Sequence, residues 1–139
     1  MTKGFWIFDT TADTGLEIYG AGLEEVFHNA LRGLFSIISD LEKIEEREET
    51  EVKAQGEDWP DLMVTWLNEL IFLQDAREWL FKDCYIEELK PYTIRALCKG
   101  ERFKKGKHRI KTLVKAATYH QAAVKETPQG YRAVVILDV

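Results

Sequence analysis

The sequence predicts a single α+β domain spanning residues 1–139, with two amphipathic helices packed on a mostly antiparallel or mixed β-sheet in two layers. Three observations carry that expectation. Two stretches repeat their apolar residues every three or four positions, the period of a helix that buries one face. Several others alternate apolar and polar residues or are rich in β-branched and aromatic ones, as strands are. These stretches follow one another in the order ββαβα and then several more strands, without an internal repeat or a Pro/Gly/Ser-rich linker. A chain of 139 residues is one ordinary domain long and buries about two-thirds of its unfolded surface, enough for a core without staples.

The elements follow in order. Residues 5–8 (FWIF) form an apolar run that reads as a strand, closed by the polar cluster at 9–15. Residues 16–19 alternate and form a second strand, which Gly20-Ala21-Gly22 ends. From Leu23 to Ile38, the residues Leu23, Val26, Phe27, Ala30, Leu31, Leu34, Phe35 and Ile38 make one helical stripe. Glu24 and Glu25 stand in its first turn, where carboxylates favour the positive end of the helix dipole. The charge run at 42–51 reads as a solvated loop, and 50–55 as a strand with Val52 and Ala54 inward. Asp58 is placed to cap a second helix, with Pro60 in its first turn where a missing N–H costs little. Leu62, Trp66, Leu67, Leu70, Ile71 and Leu73 form its apolar side, and it should fade between 75 and 79. Residues 81–87, 92–98 and 131–137 read as strands, 100–108 as a basic loop, and Gln129-Gly130 as a turn. The stretch 112–124 is expected to hold one strand up to Ala117 and another after His120.

Composition narrows function. With 45% hydrophobic, 12% aromatic and 31% charged residues, the chain is not a disordered tail, a fibre or a low-complexity linker. A net charge of −5 argues against a chain that holds nucleic acid through its backbone phosphates alone. The mean hydropathy is −0.29, and charges interrupt every apolar stretch well short of the ~20 residues a membrane span requires. The first six residues lack the apolar core of a signal peptide, so a cytoplasmic location is expected. Cys84 and Cys98 match no metal-binding spacing and are expected to be free thiols.

Few residues offer chemistry. Asp9 and Asp13 flank two threonines just past a strand, and carboxylates there suit a hard cation, although Asp-Thr-Gly is also ordinary turn composition. Asp138 stands among apolar residues at the end of the last strand, where it must point to solvent, pair, or bind a cation. Lys115 and His120 sit in a polar part of 111–120. The basic run of Arg102, Lys104, Lys105, Lys107, His108, Arg109 and Lys111 suits RNA or an acidic protein surface, or is simply a solvated loop. There is no Walker P-loop, GxGxxG, HExxH or CxxC.

Taken together, these residues resemble the archease family. Residues 9–17 (DTTADTGLE) are similar to its opening D-H-T-A-D-x-G-hydrophobic-E, and 22–27 (GLEEVF) to T-L-E-E-A-F. Residues 66–71 (WLNELI) resemble W-L-N-E-L-L, 114–120 (VKAATYH) resemble V-K-A-V-T-Y-H, and the end ILDV resembles the terminal V-D-I. The order is preserved over nearly the whole chain. The resemblance implies a protein that assists the GTP-dependent RNA ligase of tRNA splicing and RNA repair, promotes its guanylylation and turnover, and has no turnover of its own. RNA contact would come only through the ligase complex. It also implies a divalent-cation site (Ca2+, Mg2+ or Mn2+) whose aspartates match Asp13 and Asp138. The family's functional lysine matches Lys115, His120 matches a position often occupied by His, and Asp9 opens the first motif. Thr10 departs from the family's His. The readings that stay open beside it are a small metal-dependent hydrolase using Asp13 and Asp138, and a chaperone-like or RNA-binding module acting through the basic loop.

Overall fold

A computed structural model describes residues 4–139. The chain runs β1 (Phe5–Asp9), β2 (Thr14–Gly20), α1 (Leu23–Ile38), a 3-10 turn at Leu41–Lys43, β3 (Glu48–Gln55), α2 (Trp59–Arg77), β4 (Trp79–Lys90), β5 (Thr93–Arg102), β6 (Ala116–Thr127) and β7 (Gly130–Asp138). The two helices and seven strands make an α+β fold. The strands divide into two sheets, of order β1-β2-β7-β6 and β3-β5-β4, and every neighbouring pair is antiparallel. Hydrophobic alternation tells which residues of a strand face inward but not which strands share a sheet, so the single expected sheet resolves into two.

Both helices hold the sheets together. α1 packs on β2 of one sheet and β4 of the other; α2 packs on β6 and β3. The buried stripe of α1 is the expected one, extended by Gly33 and Ile37. Gly33 lets the helix approach β2 closely, since a Cβ there would meet a Leu16 methyl at 2.8 Å. Glu25 reaches back to accept the Ala21 N–H at 3.0 Å, standing in for the side-chain cap that Gly22 lacks. In α2, Asp58 accepts the Asp61 N–H at 2.8 Å and Asp61 accepts that of Glu57 at 2.8 Å, a reciprocal cap. The helix ends at Arg77, with Glu78 in the left-handed conformation. Trp66, fully buried, donates its indole N–H to the Phe27 carbonyl at 3.1 Å and ties the two helices to each other.

Three segments differ from expectation. β6 is one continuous strand from Ala116, not two, and 112–115 stay outside any strand. Its pairing with β7 jumps from Thr118↔Ile136 to Ala123↔Val134. Residues 119–122 therefore face Val135 alone in a wide bulge, with Gln121 at a positive φ of 58°. The charge run at 42–51 is not all loop, because β3 begins at Glu48. β3 is an edge strand, and its outward charges suit an exposed edge. β5 extends to Arg102, so the basic loop is shorter than expected. It is also anchored: the buried Glu101 accepts from the Lys107 ammonium at 2.8 Å, from the Glu45 N–H at 2.8 Å and from His108 Nε2 at 3.0 Å. His108 Nδ1 accepts the Lys104 N–H at 2.9 Å, which places the ring proton on Nε2. Burial pushes the Glu101 carboxyl up, but the bonds from Lys107, Glu45 and His108 outweigh it and leave it at about 2.

Candidate acidic site at the end of the four-stranded sheet

Register places the candidate residues. β1 and β2 are joined by a turn over 10–13, and their last pair is Asp9↔Thr14. Thr14 pairs in turn with Leu137 of β7, and Leu137 with Ala117 of β6. One step further along the same ladder, Asp13 precedes Thr14 and Asp138 follows Leu137, so the two aspartates flank the join between β2 and β7. Asp138 pairs with Ala116, and the N–H of Lys115 donates to the Asp138 carbonyl at 2.7 Å. Residues 13, 138 and 115–116, scattered over the chain, thus meet at one end of one sheet.

Strand alternation sorts their side chains. Leu137 is buried against the core, so Asp138 points to the outer face and is exposed. Asp9 is exposed too, but it belongs to the Thr14–Leu137 row, on the other face from Asp138. It shares the sheet end without sharing the row. Among the described residues, neither Asp9, Asp13 nor Asp138 has an ion-pair partner, and no cluster of three or more His, Cys, Asp or Glu side chains is placed to hold a metal. The arrangement is a pair of carboxylates, not a closed cage.

The turn that presents Asp13 is held by Thr10. Its hydroxyl donates to the Asp13 carbonyl at 3.1 Å and accepts the Asp13 N–H at 3.0 Å, while its own N–H reaches the same carbonyl at 3.0 Å. The residue that departs from the family pattern therefore has a structural task, fixing the backbone of the aspartate.

Lys115 is exposed, without an ion-pair partner among the described residues, and lines an open groove of about 400 Å3 between the 113–115 segment and α2, with Asn68, Phe72, Asp75 and Leu113 on its walls. Its position is set by Asn68, whose carbonyl accepts the Ala117 N–H at 2.8 Å and whose amide donates to the Ala117 carbonyl at 3.1 Å. The Asn68 amide thus acts as a substitute strand for the free edge of β6. The helical pattern gives no signal for that role, since α2 carries other polar residues and Glu69 follows Asn68 directly. His120 lies in the bulge of β6, exposed, with no hydrogen bond to either aspartate. Next to it, Tyr119 donates to Asp61 at 2.8 Å, and that carboxylate holds the phenol above its usual range. Register brings Asp13, Asp138 and the Lys115 backbone together; it leaves His120 outside.

Comparison with known proteins bears on the family and the fold. The sequence pattern of the Archease protein family matches residues 5–139. A protein archease of Methanosarcina mazei is 36% identical over 141 residues, covering 99% of this chain and 97% of its own. That of Methanothermobacter thermautotrophicus is 36% identical over 140 residues, covering 99% of each. The solution structure of protein 1598 of Methanobacterium thermoautotrophicum superimposes with a TM-score of 0.81 at 34% identity, over 99% of this chain and 100% of that one. The crystal structure of a Thermotoga maritima protein described as "an archease, possible chaperone" shares the fold, with a TM-score of 0.67 at 24% identity over 95% of this chain and 94% of that one.

Proposed function

The chain belongs to the archease family, and from that premise we propose that it is an accessory protein of a GTP-dependent RNA ligase of tRNA splicing and RNA repair. In this reading it promotes guanylylation of the ligase and its repeated turnover through a divalent cation held between Asp13 and Asp138, in the cytoplasm and without catalysis of its own. The observation that supports it is the register: the half-buried Asp13 and the exposed Asp138, neither with an ion-pair partner among the described residues, flank one strand join at one sheet end, from opposite ends of the chain.

The donor set fits a hard cation. Carboxylate oxygens suit Mg2+, Mn2+ or Ca2+, and two carboxylates brought close repel unless a cation or a proton intervenes. Two carboxylates leave the rest of the shell of any of these ions to water, backbone carbonyls or a partner's phosphates. They are what Mg2+ commonly uses when water and a substrate's phosphates complete its shell, and Mn2+ shares that taste for oxygen. When bound, the ion supplies positive charge for phosphate oxygens. The chain's own contribution is positional: Thr10 holds the Asp13 turn, the β2–β7 ladder holds Asp138, and Asn68 fixes the strand start beside Lys115. Lys115 presents a mobile ammonium near the same sheet end, suited to a phosphate or carboxylate of the partner. Among the described residues, no helix is long and apolar enough to cross a membrane.

The test is ligation with RNA in excess over a GTP-dependent RNA ligase, with and without this protein. Guanylylation and multiple turnover should rise in its presence and fall back with Asp138→Asn. Turnover of phosphoester substrates by the purified protein alone, with metal, would instead establish the hydrolase reading.

A further inference from the structure

Cys84 of β4 and Cys98 of β5 are directly opposite each other in the antiparallel ladder. Both are free thiols, Cys98 buried and Cys84 half-buried. Opposed residues of an antiparallel pair have Cα atoms about 4.5–5.5 Å apart, inside the ~4.4–6.8 Å window of a disulfide. The two strands press closely here: at Gly100, two residues beyond Cys98, a Cβ would stand 1.9 Å from the Leu80 carbonyl oxygen. Both cysteines point inward, Cys98 in line with Ile94 and Ala96, and Cys84 toward the first turns of α1. The Cys84 side opens to solvent through a shallow hollow of about 360 Å3 shared with Glu24, Glu25 and His28.

We infer that Cys84 and Cys98 form a thiol-oxidation site, in which a hydroperoxide-class oxidant converts the pair to a cross-strand disulfide within the native fold. The accessible Cys84 meets the oxidant first. Its thiolate attacks one peroxide oxygen, the O–O bond breaks, hydroxide leaves, and Cys84 becomes a sulfenic acid. The Cys98 sulfur then attacks the Cys84 sulfur, the S–O bond breaks, and water leaves with the Cys98 proton. In sum two thiols and one hydrogen peroxide give one disulfide and two waters, with two electrons passing from sulfur to oxygen. The order is set by surroundings. The hydrogen bond with the Cys84 thiol, and then burial, hold the Cys98 thiol well above its ordinary range, so it stays protonated until the sulfenic acid is beside it. His28 is not a base for Cys84, because its Nε2 is engaged by Asp83 and its Nδ1 by Asn29. The reaction therefore has no help from His28 and calls for oxidant in excess.

The experiment treats reduced, folded protein with excess hydrogen peroxide, removes the oxidant, and reads intact mass, thiol count in denaturant and a peptide map. The expected result is a loss of about 2 Da, two hydrogens, a fall from two titratable thiols to none, and a peptide joining 84 to 98, all reversed by dithiothreitol. In Cys98→Ser, Cys84 should instead add oxygen; in Cys84→Ser, Cys98 should stay unreacted. Oxygen added to Cys84 in the wild type with Cys98 still free would overturn the inference. So would persistence of both thiols, or a linked peptide that appears only after unfolding.

Discussion

Glu101→Ala should be the most damaging single substitution outside the apolar core. The Glu101 carboxylate is 1% exposed and serves three donors. Removing it strands the Nε2–H of His108, whose side chain is fully enclosed; a buried donor without a partner costs about 1–3 kcal/mol. It also removes a charge-assisted bond to the Glu45 N–H, worth about 1.5–3 kcal/mol. The Lys107 ammonium is partly exposed and regains water, so its share is small. The sum is about 3–5 kcal/mol, the usual cost of breaking a buried ion pair from one side. For a chain of this size that lowers Tm by roughly 10–20 °C, measured by calorimetry or far-UV circular dichroism. A drop below about 3 °C would mean that water replaces the carboxylate freely and that the basic loop is not anchored through it. The pH dependence gives an independent check. With a folded value of about 2 against about 4.3 in the unfolded chain, the Glu101 contribution is complete above about pH 5 and is lost as pH falls toward 2. The stability gap between wild type and Glu101→Gln should close over that same interval.

Three further outcomes are expected. Lys115→Ala should leave stability within about 1 kcal/mol of wild type, because the residue is exposed, while ligase activation falls; thermal melting and ligation on one preparation separate the two effects. Asn68→Ala should cost about 1–2 kcal/mol for the two bonds to Ala117, and hydrogen exchange should show the Ala117 amide losing protection. His120→Ala should leave divalent-cation affinity within about twofold, since the bulge holds the imidazole clear of the aspartates; a tenfold loss, read by calorimetric titration, would place it among the ligands.

Some of this architecture is legible in the sequence because it is local. The stripe of α1, the Asp58 cap with Pro60, and the strand alternation at 16–19 and 50–55 each follow from neighbours a few residues apart. The meeting of Asp13 with Asp138 is not local. It depends on the register between β2 and β7, elements separated by almost the whole chain, and only the resemblance of the flanking motifs pointed to it. The β6 bulge was hidden for another reason: its left-handed residue is Gln121, with no glycine to announce it. The Glu101 anchor was hidden because charge runs look solvated until a buried partner is seen among them. Asn68 stood in a recognisable motif, but its function needs the free edge of β6, which no helical pattern reveals.

The binding of Mn2+ to the purified chain, followed by electron paramagnetic resonance, bears most directly on the acidic row. If Asp13 and Asp138 share a cation, the wild type binds one Mn2+ per chain, Mg2+ in excess displaces it, and Asp13→Asn and Asp138→Asn each abolish binding with little change in Tm. Equal Mn2+ binding by the wild type and both variants, or none by any of them, would contradict it.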